Sequence, residues 1–409
     1  MAGDHLVLPR DGPLNQPDPV TGYLELGLRL GRHVDGLVDA YYGPAELSAR
    51  VAAEPLHPPA ALAERAGALI AALDGGAGGE DLDPIRRRWL RAQLVGLHTT
   101  ARRLAGEMIP YAEEVERCYG VRPIPRPEDE LAAAHARLEE SLPGTGPLPE
   151  RYITWRESHA IEPGAIELAV RSLAEDFRER TGRRFGLPDG EHVDWELVTD
   201  RPWSGFNHYL GGLRSRVAIN TDLPVLSLSL GQLVAHEAYP GHHTEHTRKE
   251  VGLVRRRGHL EETIFLVGTP QCLLAEGLAD LGLEVLLGER PEPVLAEHFR
   301  ALGIRYDAEV AAAVASASET LAAVRANAAW LLHQEHQPAD EVVAYLERWA
   351  LLPRARAEKA VAFLTDPLWR SYISCYVEGL PRCRCFVGGD PARFERLLTE
   401  QLVPADLEG

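Results

Sequence analysis

One histidine-rich segment constrains what this chain can fold into, because two residues inside it are incompatible with a regular helix. Residues 235–246 read AHEAYPGHHTEH and follow a largely apolar run, residues 225–234, that predicts the start of a buried helix. Pro240 removes a backbone hydrogen bond and clashes with the preceding turn, and Gly241 tolerates the irregular backbone that results. We therefore predict a local bulge at this point rather than a straight helix.

The residue types in this segment are those that bind zinc. In a helical His-Glu-x-x-His motif, the two imidazoles lie one turn apart and grip one Zn²⁺, while the glutamate faces the metal-bound water. Here the fourth residue after His236 is Pro240, which cannot coordinate, and the next histidines are His242 and His243. On a straight helix neither could easily share a metal with His236. A bulge could return one of them to the metal, and the spacing leaves both open.

A second interpretation of the same letters is an inverted zinc motif, with His242 and His246 as ligands and Glu245 as the base. In either case an acidic segment, Glu276-Gly277-Leu278-Ala279-Asp280, follows about one helical hairpin downstream. We predict that the two segments together bind one metal ion, and that the ion is zinc.

Helical periodicity dominates the remaining chain. The only convincing β segment covers residues 193–220, where strands are predicted at 193–198, 206–210 and 215–220. Helices are predicted at 22–39, 59–73, 84–108, 127–142, 163–185, 270–287, 292–336, 341–350, 354–364 and 367–377. The expected fold is mostly α with a small β patch beside the site helix. Residues 1–190 would form one wall or lid of a cleft and residues 191–409 the metal-binding region, as two lobes of one continuous domain.

Composition limits the partners and the compartment. The chain has 43 Lys and Arg against 61 Asp and Glu, and its net charge of −18 argues against nucleic acid or an anionic membrane as a partner. The N-terminus lacks the apolar core of a signal peptide, and no apolar run is long enough to span a bilayer. Five cysteines, an odd number in a long chain, predict free thiols in a reducing compartment. We expect a cytoplasmic protein that acts on a small peptide or another small molecule.

The string HExxPGHH at residues 236–243 resembles the signature of the bacterial proteins grouped as domain of unknown function 885. Glu276-Gly277-Leu278-Ala279 is similar to that family's Glu-Gly-Trp-Ala element, with leucine in place of tryptophan. Tyr376-x-x-Gly379 is similar to its C-terminal Tyr-x-x-Gly element, and Asn220-Thr221 also fits. The resemblance covers roughly residues 200–380. It implies a helical relative of gluzincin metallopeptidases, with a fold similar to the carboxypeptidase Taq family and angiotensin-converting enzyme.

The resemblance also implies roles for individual side chains. Glu237 would be the general base, and the second ligand is favoured at the first of the two adjacent histidines, with His243 as the alternative. The implied metal ligands are His236, His242 and Glu276. Asp280 follows Glu276 by four residues on the same helical face, where it could orient a ligand histidine.

Other side chains are expected near the substrate. Tyr376 and Tyr372 could donate a hydrogen bond to a developing oxyanion, as tyrosines do in related metallohydrolases. Three residues of the β segment are candidates for substrate binding: His208, Arg216 and Asn220.

Three functions remain open at this stage. The expected one is hydrolysis of an amide or peptide bond by zinc-activated water, with Glu237 taking the proton. The alternatives are a metal-dependent hydrolase or lyase acting on a non-peptide small molecule, and a non-catalytic helical protein with a structural metal. An open coordination position would favour catalysis, whereas a fourth protein ligand, such as His243 or His246, would favour a structural site.

Overall fold

Helices make up most of the chain in a computed structural model, which describes residues 18–75, 82–201 and 203–408. The mostly α fold predicted from the sequence is confirmed. The helices are α1 Pro19–Gly31, α2 Ala45–Ala53, α3 Pro59–Gly75, α4 Pro84–Leu104, α5 Tyr111–Tyr119, α6 Glu128–Ser141, α7 Leu148–Glu157, α8 Pro163–Phe185, α9 Ser227–Glu237, α10 His242–Lys249, α11 Pro270–Leu287, α12 Glu292–Ala301, α13 Ala308–His333, α14 Ala339–Trp349, α15 Arg354–Thr365, α16 Ile373–Val387 and α17 Pro391–Thr399.

Two small sheets accompany the helices in the described part of the chain. The strands are β1 Val38–Tyr41, β2 His192–Val198, β3 Gly205–Gly211, β4 Arg214–Asn220 and β5 Ile264–Leu266. The larger sheet is the predicted β patch, in the order β2-β4-β3, with β2 parallel and β3 antiparallel to the central strand. Strands β1 and β5 form a separate antiparallel pair. Strand β3 is therefore an edge strand, and β1 brings the N-terminal part of the chain to a strand that follows the histidine segment.

Several helix ends follow directly from capping residues. The Asp83 carboxylate accepts hydrogen bonds from the backbone N–H groups of Ile85 and Arg86, both at 3.0 Å, so helix α4 begins at Pro84 as the sequence predicts. Proline also opens α8 and α11, where its missing N–H costs nothing. Both of these helices end at a glycine, Gly186 and Gly288, that has a positive φ.

Four predicted helices were wrong in extent. The predicted helix at 22–39 ends at Gly31, because residues 38–41 pair with β5 as a strand instead. The predicted tract at 292–336 is two helices, α12 and α13, separated by a turn that contains Gly303 with φ 70°. The predicted helix at 367–377 begins only at Ile373 and continues to Val387. The predicted helix at 84–108 ends at Leu104. In the first case a pairing between segments distant in sequence overrides local helical periodicity.

The largest hydrophobic core joins both halves of the chain. It contains Tyr23 and Trp89 from the first half together with Ile264, Leu273 and Phe394 from the second. A second cluster packs α8 against α9, α11 and the three-stranded sheet. The described residues on both sides of residue 190 thus share the largest core. Helix α11, which carries the acidic segment, contributes to both clusters, and α9, which carries His236, contributes to the second.

Three further predictions concern the N-terminal segment, membrane-spanning helices and the cysteines. The polar segment in which no signal peptide is predicted lies mostly outside the described residues, which begin at Asp18. Among the described helices, none is both long enough and apolar enough to cross a bilayer. The cysteines are free thiols, and all but Cys385 are buried.

A buried polar network lies beneath the start of β5. Lys249 Nζ donates to Glu245 Oε1 at 2.7 Å, and Glu262 Oε2 accepts a hydrogen bond from Gln271 Nε2 at 3.3 Å. Glu262 Oε1 has no hydrogen-bond partner among the described residues. Burial raises the pKa of Glu262 to about 7; Lys249 lowers the pKa and Glu261 raises it further. Ionised Glu262 is therefore a cost to the folded state.

The Glu262→Gln variant is expected to gain stability relative to wild type as pH rises. A carboxyl whose pKa is higher in the folded than in the unfolded state stabilises the fold at low pH, and this contribution is lost as pH rises through about 7. Since each pKa unit corresponds to about 1.4 kcal/mol, the difference in unfolding free energy between variant and wild type should grow by about 2 to 3 kcal/mol between pH 5 and pH 8. Denaturant unfolding at both pH values measures it.

The matched control is Glu167→Gln, on an exposed i,i+4 pair with Arg171. Its stability relative to wild type should change little with pH, because exposed ion pairs contribute little. A Glu262→Gln variant with the same pH dependence as wild type would contradict the buried-carboxyl assignment.

Candidate metal centre

The histidine segment is divided between two helices. Helix α9 ends at Glu237, the Tyr239–Pro240 peptide bond is cis, and α10 begins at His242. The Gly241 N–H donates to the carbonyl oxygen of Ala235 at 2.9 Å, so the chain folds back closely on the end of α9. A Cβ at residue 241 would lie 1.9 Å from the carbonyl oxygen of His236, which only glycine avoids. The expected bulge is thus corrected to a complete break between helices.

This break brings two histidines and one glutamate together. The Nε2 atoms of His236 and His242 are 3.1 Å apart. Glu276 Oε2 lies 3.4 Å from His236 Nε2, and Glu276 Oε1 lies 3.5 Å from His242 Nε2. Zinc bond lengths of about 2.0–2.1 Å and tetrahedral angles place neighbouring ligand atoms about 3.3 Å apart. The three side chains therefore form a triangle of the size that one zinc ion requires.

The hydrogen-bonding pattern of these atoms is also consistent with a cation bound between them. Two ring nitrogens face each other at 3.1 Å, and a neutral imidazole pair can satisfy this contact only if one ring donates to the other. The buried Oε2 of Glu276 has no hydrogen-bond partner among the described residues. On the far side of His236, its Nδ1 is hydrogen-bonded to Asp280 Oδ1 at 2.9 Å. Asp280 thereby fixes the ring so that Nε2 points at the other two groups.

Two glycines place Glu276 beside the aromatic residues of α16. A Cβ at Gly277 would lie 2.5 Å from the carbonyl oxygen of Gly379, and one at Gly379 would lie 2.7 Å from that of Leu273. Without side chains at these positions, α11 and α16 touch backbone to backbone. Tyr372, which immediately precedes α16, can then donate its hydroxyl hydrogen to Glu276 Oε1 at 2.7 Å.

The two tyrosines consequently differ in what they can do. Tyr372 is buried, and its hydroxyl is engaged with Glu276, so it orients that carboxylate; this corrects the expectation that it contacts substrate. Tyr376 is 40% exposed, and its ring lies 5.4 Å from that of Tyr372. Burial and the charges of Glu276 and Glu237 raise the pKa of Tyr376 well above its ordinary value, so its hydroxyl keeps its proton. Tyr376 alone of the two remains available as a hydrogen-bond donor.

Glu237 is near enough to His236 and His242 for their charges to affect its pKa, but it is not one of the three converging groups. Its carboxylate accepts no hydrogen bond from another described residue, while its backbone carbonyl accepts one from Asn207 Nδ2 at 2.6 Å. A Cβ at Gly205 would approach Glu237 Oε1 to 3.2 Å, so this glycine lets strand β3 pass close by. Burial raises the pKa of Glu237, and the charges of His236 and His242 oppose that rise. The Glu237 side chain is therefore buried, and no described residue donates a hydrogen bond to its carboxylate.

Hydrogen bonds and charges shift the pKa values of His236 and Glu276 in opposite directions. Burial would lower the pKa of His236, but hydrogen bonds to Asp280 and Glu276 outweigh it and raise that pKa well above its ordinary value. Burial would raise the pKa of Glu276, and the hydrogen bonds to His236 and His242 instead hold it far below its usual range. The carboxylate is thus charged and the histidines are drawn toward their cationic form. A bound cation would supply the same positive charge.

A fourth carboxylate at this centre, Asp39, was missed from the sequence. Asp39 lies between the paired residues Val38 and Ala40 of β1, where the register with β5 shifts. Burial raises the pKa of Asp39 to about 7; the charge of His242 lowers it, and Glu276 and Glu237 raise it further. No local sequence signal marks it, because its segment was predicted as helix. Its charge adds to the negative potential around the histidines.

The alternative metal ligands, His243 and His246, are engaged in contacts away from His236. His243 is fully buried, with Nδ1 hydrogen-bonded to Ser215 Oγ and Nε2 to Glu191 Oε2, both at 2.8 Å. The His246 ring stacks on Tyr209 at 4.7 Å between ring centres. Glu245 is paired with Lys249. The geometry therefore brings His242 rather than His243 to His236, and the inverted motif with His246 and Glu245 is not formed.

The three candidate substrate-binding residues of the β segment are also corrected. In β3 and β4, inward side chains such as Asn207 and Ser215 contact α9 and α10, and strict alternation turns His208 and Arg216 to the opposite face. There Arg216 pairs with Glu196 at 3.4 Å. Asn220 Nδ2 donates to the carbonyl oxygens of Arg201 and Trp203, which holds a loop. The structure brings none of these three to the histidine pair.

Comparison with known proteins finds a solved structure with a similar fold. No family model matches the chain, and no curated protein matches it. Among solved structures, the chain is similar to the crystal structure of a "putative lipoprotein" from Colwellia psychrerythraea, with a TM-score of 0.52 and 16% sequence identity. The match covers 85% of this chain and 65% of that one, so this chain corresponds to less than two thirds of the lipoprotein's length. At this identity the likeness concerns the fold alone.

Proposed function

We propose that this protein is a zinc-dependent hydrolase that cleaves an amide or peptide bond. The observation that carries the proposal is the convergence of His236 Nε2, His242 Nε2 and a Glu276 carboxylate oxygen within 4.8 Å of one another, with no fourth such group among the described residues. Structural zinc sites have four protein ligands, whereas catalytic sites have three and keep the fourth position for water or substrate.

Each remaining group has a role that follows from its position. When bound, zinc lowers the pKa of a coordinated water and polarises a carbonyl group. The unpartnered carboxylate of Glu237 accepts a proton from the attacking water and returns it to the departing amine. The hydroxyl of Tyr376, a residue that is 40% exposed, donates a hydrogen bond to the oxygen on which negative charge develops. Asp280 and Tyr372 hold His236 and Glu276 in their orientations.

Two further observations support hydrolysis over a structural site. His243 and His246, the side chains that could have completed a four-ligand site, are engaged with Glu191 and Tyr209 instead. Glu237 is a buried carboxylate without a partner, which is costly unless a ligand or reaction uses it. The resemblance of residues 236–243, 276–279 and 376–379 to the domain of unknown function 885 family is consistent with this proposal, and membership in that family is part of it.

An activity screen tests the proposal. Zinc-loaded protein is incubated with a mixture of short peptides and N-acylated amines, and products are identified by mass spectrometry. Cleavage of an amide bond that is lost in the Glu237→Gln variant would support the proposal. Cleavage that persists at the wild-type rate in that variant would assign the activity to a different site or to a contaminant.

A further inference from the structure

One buried carboxylate, that of Glu191, is bonded to residues on both sides of the break between α9 and α10. Its Oε2 atom accepts a hydrogen bond from the hydroxyl of Tyr239 at 2.8 Å, and the same atom lies 2.8 Å from Nε2 of His243. Tyr239 lies in the break itself, and His243 is in the first turn of α10. Because the Glu191 side chain is fully buried and charged, these hydrogen bonds are of the strong kind. Glu191 therefore ties the chain before α10 to α10 itself.

Two packed elements hold this arrangement from outside. Arg178 on α8 donates from Nε to Glu191 Oε1 at 2.6 Å, and Ser215 Oγ on β4 lies 2.8 Å from Nδ1 of His243. Glu191 immediately precedes β2. Helix α8 and strands β2 and β4 pack together with α9 in the second hydrophobic cluster. The Glu191 network, which consists of Arg178, Glu191, Ser215, Tyr239 and His243, thus fastens the start of α10 to the core.

The two ligand histidines differ in what orients their rings. On His236, Nδ1 is hydrogen-bonded to Asp280. The ring of His242 meets the other two converging groups through Nε2, at 3.1 Å from His236 and 3.5 Å from Glu276, and its Nδ1 has no hydrogen-bond partner among the described residues. Metal-binding histidines are normally oriented by an acceptor on the second ring nitrogen. Since His242 lacks such an acceptor, the position of its ring depends on where the backbone of α10 lies.

The network fixes that backbone one residue further along. His243 follows His242 directly in the first turn of α10, so any rotation or shift of this turn displaces both residues. Zinc sites tolerate ligand distances only within about 0.2 Å of their usual values. A displacement that breaks the contact between His243 and Glu191 would therefore also carry His242 away from the position that zinc requires.

We propose that Glu191 is a positioning residue for the metal centre. By bonding Tyr239 and His243 at once, it holds the His242 imidazole at zinc-binding distance from His236. The inference rests on the proposed metal centre and adds to it a residue outside the histidine and acidic segments. Glu191 makes no hydrogen bond to any of the three converging groups among the described residues, so it acts through the backbone of α10 and not on the metal or substrate.

Zinc affinity of the full chain, with zinc alone as the probe, tests the inference without any need for a substrate. Glu191→Met keeps the length of the side chain but removes the acceptor, and the Kd for zinc should rise by about 10- to 100-fold, as on removal of an outer partner. Glu191→Gln keeps one acceptor oxygen for Tyr239 and His243 and should recover most of the affinity. Competition with a chromogenic chelator measures the Kd, and denaturant unfolding of the zinc-free proteins measures stability.

Glu250→Met is the matched control, because Glu250 is also a buried carboxylate that accepts hydrogen bonds from a tyrosine and an arginine. Its partners are Tyr209 and Arg255, and it lies at the opposite end of α10 from His242. This variant should lose stability as Glu191→Met does, since both leave buried donors without an acceptor. Its Kd for zinc should nevertheless stay within a few-fold of wild type.

Tyr239→Phe removes a single hydroxyl from the network and keeps the test decisive if Glu191→Met does not fold. It should weaken zinc binding several-fold, the effect of one lost hydrogen bond. A glutamine at residue 243 has an amide N–H of similar reach and retains the bond to Glu191 in part, so His243→Gln should disturb the network less than Glu191→Met does.

The possible outcomes separate the inference from the proposed function. Wild-type zinc affinity in Glu191→Met or in Tyr239→Phe would overturn the positioning role and leave the metal centre intact. An equal loss of affinity in Glu250→Met would do the same, because it would show that general destabilisation weakens the site. Failure of the wild-type protein to bind zinc would overturn the metal centre and the inference together.

Discussion

The Glu237→Gln variant is expected to lose roughly 10²- to 10⁴-fold in kcat while it still binds zinc, since general-base groups contribute on that scale. The amide has nearly the size of the carboxylate but cannot accept the proton of the attacking water. Zinc binding should be retained because Glu237 is not among the three groups that converge. Steady-state kinetics on a substrate found by the screen, together with zinc analysis of the same samples, measures both effects.

The Glu237→Asp variant provides the matched control. It keeps the carboxylate but shortens its reach by one methylene, so its kcat should fall between those of wild type and Glu237→Gln. Wild-type turnover by Glu237→Gln, or loss of activity accompanied by loss of zinc, would contradict the role of Glu237 as a base outside the metal ligands.

Replacing His242 by Gln is expected to abolish zinc binding at concentrations that saturate wild type. Loss of one of three ligands should weaken affinity by more than the roughly 10- to 100-fold that removal of an outer partner costs. Zinc at about 1,000 times its Kd stabilises a fold by about 4 kcal/mol, so added zinc should raise the Tm of wild type and leave that of His242→Gln unchanged. Calorimetric zinc titration and thermal unfolding measure the two effects.

The adjacent residue offers a matched control. His243→Gln changes the same residue type one position further on, but His243 is hydrogen-bonded to Ser215 and Glu191. This variant should bind zinc within a few-fold of wild type and lose about 1 to 3 kcal/mol of stability, because a buried carboxylate is left with fewer partners. Wild-type zinc affinity in His242→Gln, or loss of zinc in His243→Gln, would assign the second ligand to His243.

Local sequence signals predicted much of the fold. The Asp83-Pro84 cap and the proline at each start of α8 and α11 set helix boundaries that depend on neighbouring residues only. The three strands between His192 and Asn220 were likewise visible from β-branched and aromatic residues between turns. Strand β1 was not visible, because it exists only by pairing with β5, more than 200 residues away. The predicted helix at 22–39 failed for this reason.

In the candidate site as well, features set by local geometry could be predicted, and features that depend on tertiary contacts could not. The i, i+4 spacing of Glu276 and Asp280 and the incompatibility of Pro240 with a straight helix required only local geometry. Three features required tertiary contacts: Asp39 arrives on β1, Tyr372 is drawn to Glu276 by the contact of Gly277 with Gly379, and His208 faces outward because Asn207 faces inward.

Anomalous diffraction at the zinc absorption edge, from crystals grown with zinc, tests the central claim most directly. One peak is expected at about 2.0–2.2 Å from the Nε2 atoms of His236 and His242 and from a carboxylate oxygen of Glu276. The remaining position should hold water or a solvent anion rather than a protein side chain. A peak coordinated by His243 or His246, or no peak at the histidine pair under saturating zinc, would contradict the account.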